Sequence, residues 1–227
     1  DKKIQDEVKK YNDFVKSQEN ASVMQDLNWG KVKNTWIQEA VYVEENSKII
    51  AAMTIRLEKL PYINSYLMYA SRGPVCDVKN IELVNKIVNE VDLLRKKYKV
   101  YMLKFDPEIL YTQELEKKYR ENGYKVLSRN CNLHNLIQPR YNMILNIDGK
   151  DEEQIFKGFS EKTRYNIRLA QKEGVEVRFS RDEEDLKIFY ELYKVTCLRD
   201  KIGCRGYDYF KNMLDSFDEN TLRIYIA

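Results

Sequence analysis

The run Ile81-Glu-Leu-Val-Asn-Lys-Ile-Val-Asn-Glu-Val-Asp-Leu-Leu-Arg-Lys-Lys-Tyr98, followed at once by Val100-Tyr-Met-Leu-Lys-Phe105, decides the fold. Val84, Ile87, Val88, Val91, Leu94 and Tyr98 fall on one face at helical spacing, and the next apolar run, short and closed by Asp106-Pro107, reads as a strand. A second unit repeats this order. It has a helix over Gln113–Glu121, a stop at Asn122-Gly123 where glycine takes the left-handed conformation, and a strand over Tyr124–Leu127.

Upstream, Ile4, Val8, Tyr11, Phe14 and Val15 mark an amphipathic helix, followed by the stretch Val23–Trp36 with its two tryptophans. Glu39–Glu44 and Ile49–Leu57 are β-rich runs joined by the polar Glu45-Asn-Ser-Lys48, hence a hairpin, and Ser65–Ala70 adds a strand. Helix, hairpin, helix, strand, helix, strand on a mixed sheet resembles an acyltransferase domain of the GNAT type. Downstream, Tyr141–Ile147 alternates as a strand, and the polar run Asp148-Gly-Lys-Asp-Glu-Glu153 marks a boundary. The pattern then restarts with a stripe at Phe156, Phe159, Thr163, Ile167 and Ala170. A strand over Val175–Phe179, helices over Leu186–Cys197 and Tyr207–Phe217, and a last strand over Leu222–Ile226 follow. The expected class is therefore α/β (α+β, mixed sheet) in two GNAT-like domains, residues 1–147 and 148–227, the second incomplete. A start at Asp1 and an end inside a strand lead us to expect further chain on both sides.

Composition narrows the chemistry. Lys+Arg 39 against Asp+Glu 36 leaves a net charge of only +3, so bulk charge does not announce a nucleic-acid binder. No apolar stretch approaches the ~18 residues of a membrane span, and the charged first twenty residues do not make a signal peptide, so a cytoplasmic location is expected. Cys76, Cys131, Cys197 and Cys204 show no CxxC pair and are read as reduced thiols. With His134 the one histidine, in a polar Asn-rich loop, neither a zinc site nor a His-dependent triad is expected. Neither a GxGxxG nor a P-loop occurs.

Two features are candidates for chemistry. Arg164, Arg168 and Lys172 stand four residues apart on one helix face and could meet a diphosphate, the competing reading being a solvated face. Asp106 follows a strand directly, where open α/β sheets form substrate crevices, and could orient an amine or take its proton. Its competing reading is an ordinary Asp-Pro turn starter.

Several strings in order resemble one family, the Fem-type (FemABX) peptidoglycan-bridge aminoacyltransferases, nearest its FemX branch. They are Gln25-Asp-Leu-Asn-Trp-Gly-Lys-Val-Lys-Asn-Thr-Trp36, Tyr69-Ala-Ser-Arg-Gly-Pro-Val-Cys-Asp77, Lys104-Phe-Asp-Pro-Glu108, Ile137-Gln-Pro-Arg-Tyr-Asn-Met143 and Lys162-Thr-Arg-Tyr-Asn-Ile-Arg168, with Gly174–Val177 and Tyr209-Phe210 behind them. The resemblance implies transfer of an amino acid from aminoacyl-tRNA to the stem-peptide amine of a UDP-linked or lipid-linked muropeptide, with no cofactor and no metal. It assigns the acceptor diphosphate to Lys31 or Lys33 together with Arg164, and muropeptide contacts to Tyr101, Asp106 and Tyr209. Gly206 stands where the family has a proline. It further implies peripheral contact with the inner face of the membrane, and catalytic groups beyond Ala227. Two other classes compete. A CoA-dependent N-acyltransferase would need a Gly-rich pyrophosphate loop, and an RNA-binding module would need more aromatics than Tyr165 in the basic stripe.

Overall fold

The computed structural model describes residues 2–19, 21–127 and 137–227, so Cys131 and His134 lie outside the described residues. The chain forms two compact units, Asp1–Gln138 and Pro139–Ala227. The division comes earlier than the Gly-containing run suggests. Gln138 is bonded into the first unit, its amide Nε2 reaching Met24 Sδ at 3.7 Å, and the chain leaves at the following proline.

In the first unit, α1 (Lys2–Ser17), a 3-10 turn (Val23–Gln25) and α2 (Trp29–Val32) precede β1 (Ile37–Glu45), β2 (Lys48–Lys59) and β3 (Tyr66–Ala70). Helices α3 (Ile81–Glu90) and α4 (Asp92–Lys97) cross to β4 (Val100–Phe105), and α5 (Gln113–Glu121) follows. The sheet order is β1-β2-β3-β4, the first three antiparallel and β4 parallel to β3, which makes the sheet mixed. The α3–α4 crossover is what permits the parallel pair.

Strand β2 explains the layering. Ala51, Met53, Ile55 and Leu57 point to one face and pack with Ile87 and Val91, whereas Ala52 joins Tyr11, Val15 and Val75 on the other. Thr54 and Arg56 share that second face and are almost fully buried. Only the C-terminal half of α1 is drawn into the core; Ile4 and Val8 of the expected stripe stay exposed. The helix expected over Ile81–Tyr98 is divided at Val91, which caps α3 and leads into α4. Asn80 and Thr112 cap α3 and α5 by accepting the Leu83 and Leu115 N–H at 3.2 and 3.1 Å.

The strand expected over Tyr124–Leu127 does not form. Side chains hold that segment instead: Tyr124 packs on Phe105 and Tyr119 and donates to Asn85 Oδ1 at 2.6 Å, and Arg120 takes the Val126 carbonyl at 2.8 Å. Val23–Trp36 resolves into the 3-10 turn and α2 rather than one regular element.

In the second unit, α6 (Glu152–Gly158), α7 (Glu161–Lys172), β5 (Arg178–Ser180), α8 (Glu183–Asp200), α9 (Tyr207–Ser216) and β6 (Ile224–Ile226) follow. Asp151 and Gln154 form a reciprocal capping box on α6. Strands β5 and β6 pair antiparallel, Phe179 opposite Tyr225. Val175–Val177 therefore stays outside the ladder, and the strand expected over Tyr141–Ile147 is also absent. Its apolar side chains are exposed and no strand of the described residues pairs with it, so alternation alone does not make a strand there. Phe189, Tyr193 and Phe210 join α8 to α9 with ring centroids 5.0–6.2 Å apart. Arg178 grips Asp185 through two 2.6 Å hydrogen bonds and holds its carboxyl down at about 2.

Candidate functional site

The C-terminal ends of the parallel strands β3 and β4 lie side by side, Ala70 opposite Phe105, so the residues that follow them meet: Ser71 and Arg72 on one side, Asp106 on the other. Asp106 Oδ2 accepts the Tyr69 hydroxyl at 2.7 Å and Oδ1 accepts the Arg72 backbone N–H at 2.8 Å. Neither bond is local in sequence. The carboxylate ties two strand ends together, which the Asp-Pro turn reading does not describe. Burial pushes the Asp106 carboxyl above its ordinary value, opposed by the Tyr69 hydroxyl and the Arg72 N–H. Burial and then the adjacent Asp106 push Tyr69 up to about 12, so it stays a neutral donor. Gln138 and Ser71 also bond the Tyr69 side chain.

Behind this corner lies a buried polar network. Gln25 is fully buried; its Nε2 donates to the Ser71 and Thr54 carbonyls at 2.7 and 3.2 Å, and its Oε1 accepts the Thr54 N–H at 2.9 Å. Tyr11 and Thr54 hydroxyls meet at 2.8 Å, and Arg56 donates to Ser71 Oγ. Gln25 thus occupies a ladder position with its side chain, and it positions the turn that follows β3. Gly73 packs on the Gln25 amide so closely that a Cβ would stand 2.8 Å from it.

The lysines lie elsewhere in the same unit, on the segment entering β1. Lys31 donates to Asn28 Oδ1 at 2.9 Å and Lys33 lies 5.7 Å over the Trp36 ring. Tyr101, on edge strand β4, is 70% exposed and thus available to a ligand. In the second unit, Arg164 donates to the Phe159 carbonyl and, at 3.2 Å, to that of Lys157, so part of its guanidinium clasps the α6–α7 turn. Arg168 stacks 5.1 Å over Phe156. Tyr209, on α9, carries Arg205 stacked 4.9 Å over its ring, and Tyr193 Oη accepts the Arg205 backbone N–H at 3.1 Å.

Sequence reading passed over Tyr69, Gln25, Gln138 and Arg205 as site residues. All four stand in or beside the quoted strings, but periodicity reads Tyr69 as core, and a fully buried glutamine has no periodic signal. Among the described residues no group of three or more His, Cys, Asp or Glu side chains is placed to hold a metal, and Cys76, Cys197 and Cys204 are free.

The FemAB family profile matches residues 7–227. The chain belongs to the FemAB family. Among FemAB relatives, it is 34% identical over 225 residues to a UDP-N-acetylmuramoylpentapeptide-lysine N(6)-alanyltransferase of Weissella viridescens, covering 97% of this chain and 66% of that protein. It is also 34% identical to a lipid II:glycine glycyltransferase of Staphylococcus epidermidis, covering 91% of this chain and 50% of the relative. The crystal structure of FemX superimposes with a TM-score of 0.84 at 29% identity, over 96% of this chain and 55% of that one. The chain thus spans half to about two-thirds of these proteins, and its mixed α/β fold is similar to that of FemX.

Proposed function

We propose that the full-length protein is an aminoacyltransferase that moves an amino acid from aminoacyl-tRNA to the stem-peptide amine of a peptidoglycan precursor. Membership of the FemAB family supports the class, and the two relatives named above are an alanyltransferase and a glycyltransferase. The observation that carries the reading is Asp106, a half-buried carboxylate at the ends of two parallel strands with each oxygen already aligned by one donor.

A carboxylate has about four lone-pair sites. Two are filled here, so the others can accept from an incoming amine. In the proposed reaction the amine nitrogen forms a bond to the ester carbonyl carbon, one amine proton leaves to Asp106, and the bond from that carbon to the tRNA ribose oxygen breaks with its electron pair on the oxygen, which takes that proton back from Asp106 and departs as a hydroxyl. A raised carboxyl pKa suits that base, because it narrows the gap to the amine. Tyr69 acts as a positioning residue. In the first unit Tyr101 faces the peptide from the edge strand and Lys31 or Lys33 presents a cation to the acceptor diphosphate; the second unit carries its own candidates for acceptor contact, Arg205 with Tyr209. Arg164, part of whose guanidinium is taken by the Phe159 and Lys157 carbonyls, and Arg168 are the cations of α7 that this reading assigns to the acceptor diphosphate. Such chemistry requires positioning and oxyanion stabilisation rather than a cofactor. We read both units as GNAT-like and the protein as cytoplasmic, working at the inner membrane face when its acceptor is lipid-linked.

The test gives full-length protein labelled aminoacyl-tRNA or labelled acetyl-CoA with a muropeptide acceptor. Label arriving from aminoacyl-tRNA supports the reading; label arriving only from acetyl-CoA overturns it.

A further inference from the structure

The opposite end of the sheet carries a surface that the transfer chemistry does not use. Lys59 of β2 pairs with Tyr66 of β3, and Tyr66 with Val100 of β4, so one row across three strands ends the sheet. Beyond that row projects the β2–β3 connection, Leu60-Pro-Tyr-Ile-Asn-Ser65. It is firmly built. Leu60 N–H donates to the Ser65 carbonyl at 2.9 Å, and Ser65 Oγ and Tyr66 N–H both donate to the Lys99 carbonyl, at 2.8 and 2.7 Å. On this firm base Tyr62 takes a left-handed φ of 68°, uncommon for an aromatic residue, and its side chain is fully exposed beside an exposed Ile63. A strained backbone that presents an aromatic and an aliphatic side chain to water contributes nothing to the core, and such outliers point to function.

Charge surrounds the tip. Lys59, Lys96 and Lys99 are exposed and have no carboxylate partner among the described residues. Arg95 and Lys97 are paired with Asp92 and Glu39, at 2.8 and 2.5 Å, and Glu58 is the acidic neighbour on β2. Exposed Leu93 lies one turn back on α4, and the half-exposed Ile37 starts β1 at the same end. A tyrosine and an aliphatic side chain on a rigid tip, ringed by unpaired lysines, match the two parts of an anionic bilayer surface. The ring and isoleucine enter the headgroup–acyl boundary and the ammonium groups meet lipid phosphates. No helix of the described residues is long and apolar enough to cross a membrane, so any contact made here is peripheral.

We propose that the Leu60–Ser65 tip, with Lys59, Lys96 and Lys99, is a docking surface for the anionic face of a lipid bilayer. This rests on the aminoacyltransferase reading only for its purpose, which is to hold the enzyme where a lipid-linked acceptor is presented.

The experiment is co-sedimentation of full-length protein with vesicles of phosphatidylcholine alone or mixed equally with phosphatidylglycerol. Wild type should bind the mixed vesicles, weakly or not at all the neutral ones, and lose binding as salt rises. The Tyr62→Ser/Ile63→Ser variant should bind about tenfold more weakly. Lys59→Glu/Lys96→Glu/Lys99→Glu should bind on the order of a hundredfold more weakly. Both variants should keep wild-type circular dichroism and melting temperature, because every altered side chain is exposed, and turnover on a soluble UDP-linked acceptor. Absence of vesicle binding by wild type, or binding untouched in both variants, overturns the proposal. So does a lysine variant that loses tRNA affinity but keeps vesicle affinity, since the patch would then be an RNA surface. Vesicle binding without any aminoacyl transfer would overturn the functional reading and leave this surface standing.

Discussion

Asp106→Asn and Asp106→Ala, made as a pair in the full-length protein, separate what the carboxylate does for the fold from what it does for the reaction. Asp106 accepts two hydrogen bonds, at 2.7 and 2.8 Å, that join the ends of β3 and β4. Alanine removes both and takes from the Tyr69 hydroxyl, in a residue only 3% exposed, its carboxylate acceptor, leaving it Gln138 and Ser71. With bonds to a charged acceptor worth about 1.5–3 kcal/mol each, discounted because Asp106 is only partly buried, the expected loss is ~2–4 kcal/mol. Asparagine keeps an oxygen for the Arg72 N–H and turns its amide toward Tyr69, whose hydroxyl then accepts instead of donating. It should stay within ~1 kcal/mol of wild type. Its activity should nevertheless fall, since an amide cannot take the amine proton: at least tenfold in kcat/KM, or ~1.4 kcal/mol of transition-state stabilisation. Urea unfolding and steady-state transfer assays measure the two quantities independently. Wild-type kcat/KM in the Asn variant would refute the catalytic role; an Asn variant as unstable as the Ala variant would show that the negative charge itself holds the strands.

Further outcomes follow from the same geometry. Because burial raises the Asp106 carboxyl above its ordinary 3.8, the contribution of that group to stability is full below 3.8 and is lost as pH rises through the raised value. The Asn variant should therefore gain on wild type as pH rises toward neutrality, and urea midpoints measured across that range should show no such trend if burial is not the cause. Transfer activity should run the other way, rising with pH as Asp106 ionises, and a pH–kcat/KM profile flat through the acid range would exclude it as the base. Gly73→Ala forces a Cβ to 2.8 Å from a Gln25 amide that three hydrogen bonds hold in place, so a destabilisation of ~1–3 kcal/mol is expected in thermal melts. Arg205→Ala and Arg164→Ala should each weaken acceptor binding by ~1.5 kcal/mol, about tenfold, in isothermal titration, and Arg164→Ala should also lower the melting temperature because its bonds to the α6–α7 turn are lost. A lowered melting temperature with unchanged binding in the Arg164 variant would leave that side chain a role in the turn alone.

The α3–α4–β4 crossover and the β1–β2 hairpin were legible because their side chains face one core with a single period, 3.6 on the helices and 2 on the strands. Tyr124–Leu127 and Tyr141–Ile147 also alternate, yet a strand is a property of two segments, and the pattern in one cannot supply the neighbour. Asp106 was legible from its place after a strand, but its partners were not. Tyr69 and Arg72 lie more than thirty residues upstream and reach it only because β3 and β4 are parallel and in register. Gln25 was invisible for a related reason: a polar residue becomes buried only when the backbone groups that satisfy it, here on Thr54 and Ser71, are brought to it by the fold.

That glutamine has a thermodynamic consequence for the lysines downstream of it. Gln25 is bonded into β2 and the turn after β3, Asn12 Oδ1 accepts the Leu27 N–H at 2.9 Å, and Gln38 returns from β1 to the Leu27 carbonyl at 2.7 Å. The stretch carrying Lys31 and Lys33, helix α2 and its C-cap, is thus tethered at both ends, and the backbone freedom that a slack segment would surrender on meeting an anion has already been surrendered in folding. Cutting either tether, by Gln25→Ala or Gln38→Ala, should leave the contact enthalpy of the lysines nearly intact while making the entropy of binding less favourable.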